Sequence, residues 1–341
     1  MNLTLSQAID GFLLHKEIAG ASPYTLRNYR LALRRLSAHF DHDPPLASIT
    51  TDHIRAFLHQ FQTTQLTPAG VAPRPAKLPS PKTVLNLHTA LKSFWSWATD
   101  EGYTPAHIVK PIQPPKASVQ SIQPFTQSDI QALLAAVDSS QPWQNAPHVR
   151  SQRPEELRRR DRALILFLLD TGVRASELCA LTIADVDRKS GSAAIRGKSR
   201  LNSGQGKTRT VYFGSKTRKA LWEYLVKRPA HVGSGLPSQR EGLGEGETPL
   251  FATTKGVPLE RRHLGRHLKR LGQRAGVKNT NPHRFRHSFA INYLRNGGDV
   301  YTLQNLLGHS SLDMVRRYLK IAEADCATVH RRASPVDNWN L

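Results

Sequence analysis

The sequence has little of what a disulfide framework or a membrane span requires. It contains two cysteines, Cys179 and Cys326, without disulfide or metal spacing, which excludes a disulfide-rich secreted scaffold and suits a reducing compartment. No stretch reaches the roughly 18 uninterrupted apolar residues of a transmembrane helix. The first residues lack the basic region of a signal peptide. We therefore expect a cytoplasmic protein without membrane association.

Acidic residues are also scarce. The 341 residues include 48 Lys and Arg against 26 Asp and Glu, which gives a net charge of +22. Residues 1–116 hold 12 basic and 7 acidic side chains, and the remainder holds 36 and 19, so most of the excess lies in the second part. This asymmetry is typical of a protein that binds a polyanion, here most simply DNA. Charge alone leaves open a basic surface that only maintains solubility.

Apolar residues that recur every three or four positions predict an all-helical first part. The predicted helices are Leu5–Ile18, Pro23–Phe40, Thr51–Phe61 and Ser80–Thr99. Proline-rich sequence at 62–79 predicts a loop, and a second proline cluster within Lys110–Phe125 predicts a linker. The predicted domain division is therefore 1–110, a linker over 111–125, and a second domain over 126–341.

The second part has mostly helical patterns interrupted by polar or glycine-rich insertions at 138–157 and 233–249. Ser192–Arg196 and Arg209–Phe213 predict two strands joined by a long basic loop. The predicted helices are Thr126–Val137, an apolar one at 161–171 that Gly172 stops, a short one after it, Leu259–Gly272, Pro282–Arg295, Val300–Leu307 and Ser311–Asp325. The predicted fold class is thus mainly α, with an all-helical N-terminal domain and a mostly helical second domain that contains a small antiparallel β-sheet.

The segments that resemble cofactor-binding or metal-binding motifs lack the neighbouring residues and elements that those motifs require. The glycine-rich segment at 241–246 lacks the preceding strand and following helix of a nucleotide loop. His263 and His267 are four residues apart but lack a third ligand, so we expect them to be solvated or to contact phosphate. His283 and His287 have the same spacing without the glutamate that a metalloprotease needs. We expect no cofactor and no metal.

Cationic hydrogen-bond donors are the remaining chemical signal in the second part. Arg174 follows a glycine turn, and His283 and Arg286 lie one turn apart at the start of a predicted helix. His309 follows another glycine, and the predicted hairpin supplies a lysine. Each residue has an ordinary structural explanation on its own. Together they could surround one oxyanion.

The order and spacing of these residues resemble the tyrosine recombinases, a family that includes phage integrases and the recombinases that resolve chromosome dimers. The matching segments, in chain order, are Gly172–Leu178, Gly197–Lys198, His283–His287, Leu307–Ser310 and, nine residues after His309, Tyr318. The resemblance implies that the first domain is a core-binding domain, the second is catalytic, and the protein is a site-specific DNA recombinase. It extends over the whole chain, although the first domain matches in pattern only.

The resemblance also implies a role for each residue. Tyr318 would attack a DNA phosphodiester and form a covalent 3′-phosphotyrosine with a free 5′ hydroxyl. Arg174 and Arg286 would bind the nonbridging oxygens, and His309 would donate a further hydrogen bond to them. His283 would assist proton transfer at the tyrosine.

A lysine of the hairpin would protonate the departing 5′ oxygen. Lys198, directly after the first strand, fits the family pattern better than Lys207, which stays an alternative because the loop is long. Glu177 is expected to orient the site next to Arg174 and not to act as a base.

The expected partners are a duplex DNA recombination site, three further copies of the chain in a tetramer on DNA, and an accessory factor that sets direction. Two alternatives remain. A type IB topoisomerase-like protein would relax supercoils with similar residues, and a catalytically silent relative would only bind DNA.

Overall fold

The computed structural model describes residues 3–64, 77–115, 123–138, 154–197, 208–228, 248–253 and 256–309, and shorter pieces at 311–312, 315–316, 318–319, 330 and 334–339. The chain divides into two compact units, one within Met1–Gln120 and one from Ser121 onwards. None of the described helices is long and apolar enough to cross a membrane.

The first unit is a bundle of four helices, α1 (Leu5–Ile18), α2 (Pro23–Ser37), α3 (Thr51–Thr63) and α4 (Pro81–Asp100). Each helix begins at a Ser or Thr whose hydroxyl accepts a hydrogen bond from a backbone N–H of the first turn, which is the usual N-cap. The core is aromatic: Phe12 contacts Phe94 edge to face at 5.5 Å between ring centroids. This confirms the predicted all-helical first part.

The second unit is built around α6 (Glu155–Thr171), whose apolar face is fully buried. Packed around it or following it are α5 (Gln127–Asp138), α7 (Ala175–Ala180), α8 (Ser215–Val226), α9 (Arg261–Ala275), α10 (Pro282–Arg295) and α11 (Val300–Leu307). Val315, Arg316, Tyr318 and Leu319 are also helical, as is Pro335–Trp339. The ends of α10 and α11 agree with the prediction, whereas α6 begins six residues before the predicted apolar run.

The sheet has three antiparallel strands in the order β1 (Val186–Asp187), β2 (Ser192–Arg196) and β3 (Thr208–Tyr212). In β3, Arg209 and Val211 share one face because side chains alternate along a strand. Val211 pairs with Ala193 and is fully buried. The sheet therefore presents Arg209 towards the interior of the second unit.

Two described elements have no counterpart in the prediction. Strand β1 is only two residues long and has no periodic signal. Helix α8 was not predicted from the sequence, although Asp170 fixes its start by accepting hydrogen bonds from Gly214 N and Thr217 Oγ1, both at 2.7 Å. The mainly α fold with one small antiparallel sheet is confirmed.

Candidate active site

A glycine turn positions Arg174. Helix α6 ends at Gly172, which has the left-handed φ of 60°. A Cβ there would lie 2.4 Å from Phe289 Cδ1 of α10, so only glycine fits this close approach. The chain then reverses, and Arg174 becomes the N-cap residue of α7. Its Nη2 donates to Gly308 O at 3.1 Å, and its side chain is 40% exposed.

Glu177 holds two arginines beside this turn. Its carboxylate accepts from Arg174 N and Nη1, each at 2.8 Å, and from Arg209 Nη1 and Nη2 at 3.0 and 2.7 Å. Burial alone would raise the pKa of Glu177, but the hydrogen bonds and charge of Arg209 and the bonds from Arg174 outweigh it and lower the pKa to about 2. Glu177 is therefore ionised and orients Arg174, as the sequence predicted.

Arg286 is the most buried cation of the site. It lies in the second turn of α10, is 5% exposed, and donates to Gly172 O at 2.8 Å and to Leu307 O at 2.7 Å. Burial, followed by the charge of Arg174, lowers the pKa of Arg286 to about 10. The guanidinium thus remains charged at neutral pH, and it joins the glycine turn after α6 to the end of α11.

His309 is neutral and its orientation follows from Arg286. Nη2 of Arg286 lies 2.8 Å from His309 Nε2, and a guanidinium can only donate, so Nε2 accepts and the ring proton sits on Nδ1. Burial, and then the charges of Arg286 and Arg174, lowers the pKa of His309 to about 4. Its Nδ1 has no partner among the described residues. One hydrogen-bond donor therefore remains at this ring.

Tyr318 lies against the same group of residues. It is 3% exposed and packs in a cluster with Ile291, Leu303 and Leu307. Its ring is nearly parallel to that of His309, with 6.3 Å between centroids. The phenolic oxygen lies 2.8 Å from Nδ1 of His287. Three predicted site residues, Arg174, Arg286 and His309, thus meet at the turn Leu307–His309, and Tyr318 packs beside them.

The other two predicted residues are placed differently. His283 lies in the first turn of α10, and no hydrogen bond joins its ring to another described residue. Burial, and then the charges of Arg261, Arg286 and Arg174, lowers its pKa, so it lies in the same positive field. Lys198, and its alternative Lys207, fall outside the described residues.

The histidine pair on α9 does not behave as expected. His263 is 50% exposed, but His267 Nε2 lies 2.9 Å from Oδ2 of the fully buried Asp161. The expectation of a solvated or phosphate-contacting pair is therefore wrong for His267, because the inward face of α9 brings it onto α6. Among the described residues, no group of three or more His, Cys, Asp or Glu could hold a metal ion.

Two residues of the site were not assigned from the sequence. Arg209 links Glu177 to Leu306 O, to which its Nε donates at 2.7 Å. Its inward register in a strand was the available signal. His287 belongs to the matching segment His283–His287 but has no role assigned from the sequence, and nothing in its position indicates contact with a tyrosine 31 residues later.

Two family profiles match the chain. The profile of the phage integrase family matches residues 124–325, more than half of the chain, and that of the phage integrase N-terminal SAM-like domain matches residues 9–104.

Curated relatives match almost end to end. Tyrosine recombinase XerD of Corynebacterium glutamicum is 31% identical over 324 residues, with 93% of each chain covered. Tyrosine recombinase XerC of Myxococcus xanthus is 28% identical over 336 residues, with 97% of this chain and 99% of that protein covered.

Among solved structures, the Tn1549 transposon integrase in complex with a circular intermediate DNA has a similar fold. The TM-score is 0.71 at 19% identity, and the match covers 93% of this chain and 95% of that one.

Proposed function

We propose a mechanism from one premise: the chain belongs to the phage integrase family, and it is a site-specific tyrosine recombinase. The two alternatives left open by the sequence are not favoured, because the curated relatives that cover at least 93% of the chain are named as tyrosine recombinases. A silent relative would also be expected to have lost a site residue, and Tyr318, Arg174 and Arg286 are all present.

The observation that carries the mechanism is the convergence on the turn Leu307–His309. Arg174 and Arg286 each donate to a carbonyl of this turn, and Tyr318 packs against its histidine. Two guanidiniums and a spare imidazole N–H beside a phenol form a site for a phosphodiester. Guanidinium groups suit this task because each can direct two N–H donors at the nonbridging oxygens.

In the proposed reaction, Tyr318 attacks the phosphorus and forms a 3′-phosphotyrosine. A phenol has a pKa near 10, so it needs a partner that takes its proton and a positive site that stabilises the charge on the phosphate. Arg174, Arg286 and the Nδ1–H of His309 supply that stabilisation, and His283 lies in the same positive field. Lys198 protonates the departing 5′ oxygen.

The ester conserves the energy of the broken bond, and a 5′ hydroxyl from another strand reverses the step. Cleavage and rejoining thus use the same residues.

The partner in this proposal is duplex DNA. The net charge of +22 and the integrase–DNA complex among the structural neighbours support it. Residues 1–110 would form the core-binding domain and 126–341 the catalytic domain on either side of a linker at 111–125, which the two family profiles support. Four protomers on two duplexes, an accessory factor that sets direction and a cytoplasmic location complete the proposal.

Covalent trapping tests the nucleophile. The DNA site is first selected by the protein from a random-sequence duplex library, and a nicked copy of it then traps the intermediate. The wild type should form a protein–DNA adduct on a denaturing gel. Tyr318→Phe should bind the site with nearly unchanged affinity and form none, because the substitution removes only the phenolic oxygen.

Tyr301→Phe is the matched control, since Tyr301 is 69% exposed and should be dispensable. If Tyr318→Phe still forms an adduct, another residue is the nucleophile. Strand transfer to a second duplex, measured in the same reaction, distinguishes recombination from simple relaxation.

A further inference from the structure

Tyr318 contacts a histidine that the mechanism above does not use. His287 Nδ1 lies 2.8 Å from the phenolic oxygen, and the two ring centroids are 5.5 Å apart. We propose that His287 is a catalytic residue that accepts the Tyr318 hydroxyl proton during strand cleavage and returns it during rejoining. The inference rests on the proposed function, because it assumes that Tyr318 is the nucleophile.

The position of His287 follows from α10. His287 is the residue after Arg286, so one helix presents both a buried phosphate donor and the partner of the nucleophile. The N-cap Asn281 and Pro282 at the first position fix the start of this helix. Phe285 and Ser288, on either side of the pair, are fully buried. The acceptor is therefore held by a rigid element.

His283 is the alternative acceptor within the same helix. It lies one turn before His287, and its ring makes no hydrogen bond to another described residue, whereas His287 already has the geometry of a proton transfer. A general base must lie within hydrogen-bond reach of the proton that it takes, about 2.6–3.2 Å between heavy atoms. His287 meets this condition at Tyr318.

The surroundings of His287 keep its ring neutral and therefore able to accept a proton. Burial, and then the charges of His283 and Arg286, lowers its pKa, so the ring is neutral at neutral pH. Tyr318 contacts it from the segment after α11. His309 lies near Arg286, and its lowered pKa shows that it too is neutral. When Tyr318 donates to Nδ1, the single ring proton of His287 resides on Nε2.

The step balances in protons and bonds. As the Tyr318 oxygen bonds to phosphorus, its proton moves to Nδ1 of His287, which becomes an imidazolium. The bond from phosphorus to the 5′ oxygen breaks, and that oxygen takes one proton from the lysine of the hairpin. Rejoining reverses both transfers. The negative charge of the bound phosphate offsets the cost of an imidazolium next to Arg286.

Three proteins test the transfer in the trapping assay with the nicked site. His287→Ala removes the acceptor, and cleavage should slow by about 10²–10⁴-fold, the usual contribution of general acid–base catalysis. His287→Asn keeps an oxygen near the position of Nδ1 but cannot take up a proton, so it should be similarly slow. His287→Ala that carries 3,5-difluorotyrosine at position 318 should recover roughly tenfold or more, because a more acidic phenol needs less help from a base.

Each contrary result is informative. Cleavage by His287→Asn at the wild-type rate would make His287 a positioning residue and overturn the proton transfer. A slow His287→Ala that difluorotyrosine does not rescue would indicate structural damage alone, and it too would overturn the proposal. His15→Asn, on α1 of the first unit, is the histidine control and should cleave normally.

Different results would overturn the role of His287 and the role of Tyr318. If the wild type forms no adduct, or Tyr318→Phe still forms one, the proposed function is wrong. If Tyr318 is the nucleophile and His287→Ala cleaves at the wild-type rate, only the role of His287 is wrong. Affinity for the site DNA and the melting temperature, measured for every variant, show whether the fold is retained.

Discussion

At the scale of single residues, the site depends on one carboxylate that is neither a nucleophile nor a base. Glu177 lies between Arg174 and Arg209, and Arg209 also binds Leu306 O. The positions of the strand β3, the turn before α7 and the end of α11 are thereby linked through one ionised group. Removing one partner of a buried ion pair leaves the other charge unpaired, which is costly.

Glu177→Gln should lower the free energy of unfolding by about 3 kcal/mol at pH 7. The folded-state pKa is lowered from 4.5 to about 2, so the stabilisation is fully present above pH 4.5 and is lost as the pH falls towards 2. The difference between the wild type and Glu177→Gln should therefore shrink below pH 4.5. Urea unfolding at pH 7, 5 and 3 measures it.

Glu223→Gln is the control for this prediction. Its carboxylate lies 4.0 Å from Lys219 on the surface of α8, so the substitution should change the stability by no more than about 0.5 kcal/mol at any of these pH values. A Glu177→Gln protein as stable as the wild type at pH 7 would contradict the proposed role of the carboxylate.

The role of the hairpin lysine as the acid that protonates the 5′ oxygen can be tested chemically. A 5′ alkoxide leaves poorly without a proton, whereas a 5′ thiolate leaves well. On DNA with a bridging 5′ sulfur, Lys198→Ala should regain much of its lost cleavage rate. Arg174→Ala, which we expect to lose about 10²–10³-fold as one oxyanion donor, should not be rescued. If Lys207→Ala is the variant that is rescued, and Lys198→Ala cleaves ordinary DNA normally, then Lys207 and not Lys198 protonates the 5′ oxygen.

The sequence predicted these residues unequally, for physical reasons. Arg174 and His309 follow glycine turns, and Arg286 lies one turn after His283 near the start of a helix, so local sequence was enough to indicate all three. His287 and Arg209 act through contacts with residues 31 and 32 positions away. Such contacts depend on packing between elements, which hydrophobic periodicity does not encode.

At the scale of elements, helices that are capped by their own sequence were predictable, whereas a helix whose start is fixed from elsewhere in the fold was not. Helices α10 and α11 have N-caps at Asn281 and Asp299, and their ends agree with the sequence pattern. Helix α8 was missed because its apolar residues follow a strand almost directly, and its start is fixed by Asp170 from another helix. Helix propensity depends on local sequence only, so it cannot indicate a helix start that a residue of another helix fixes.

The two left-handed glycines that end α6 and α9 give a test at this scale. Gly276 has a φ of 69° and nothing within 4 Å of a Cβ, so Gly276→Ala should cost only the strain of the left-handed backbone, about 1 kcal/mol. Gly172→Ala adds the clash with Phe289 and should cost about 3 kcal/mol. It should also slow cleavage, because Gly172 O accepts from Arg286.

Unfolding in urea and the trapping assay measure both parts of this prediction. Equal losses of stability in the two variants would mean that α10 does not approach the turn as closely as the Phe289 contact indicates.

At the scale of the whole molecule, the net positive charge governs how the protein binds DNA. The net charge of +22 is concentrated after residue 116. Helix α9 illustrates this, since its 15 residues include six Arg and Lys and no acidic residue. Phosphate contacts position such a protein without reading the sequence, and base contacts then select the site. Affinity and specificity should therefore respond to salt in different ways.

We expect binding of the selected site to weaken by about 10³–10⁵-fold between 50 and 200 mM salt, the range for six to ten neutralised phosphates. The logarithm of the binding constant should fall linearly with the logarithm of the salt concentration, because each contact releases condensed counterions. A scrambled duplex of equal length should have a similar slope and a lower affinity throughout, since it keeps the phosphates and loses the base contacts. Fluorescence anisotropy with Tyr318→Phe measures both lines without cleavage. A change of less than about tenfold over this range would mean that few phosphates are contacted, and that the excess of arginine and lysine serves solubility instead.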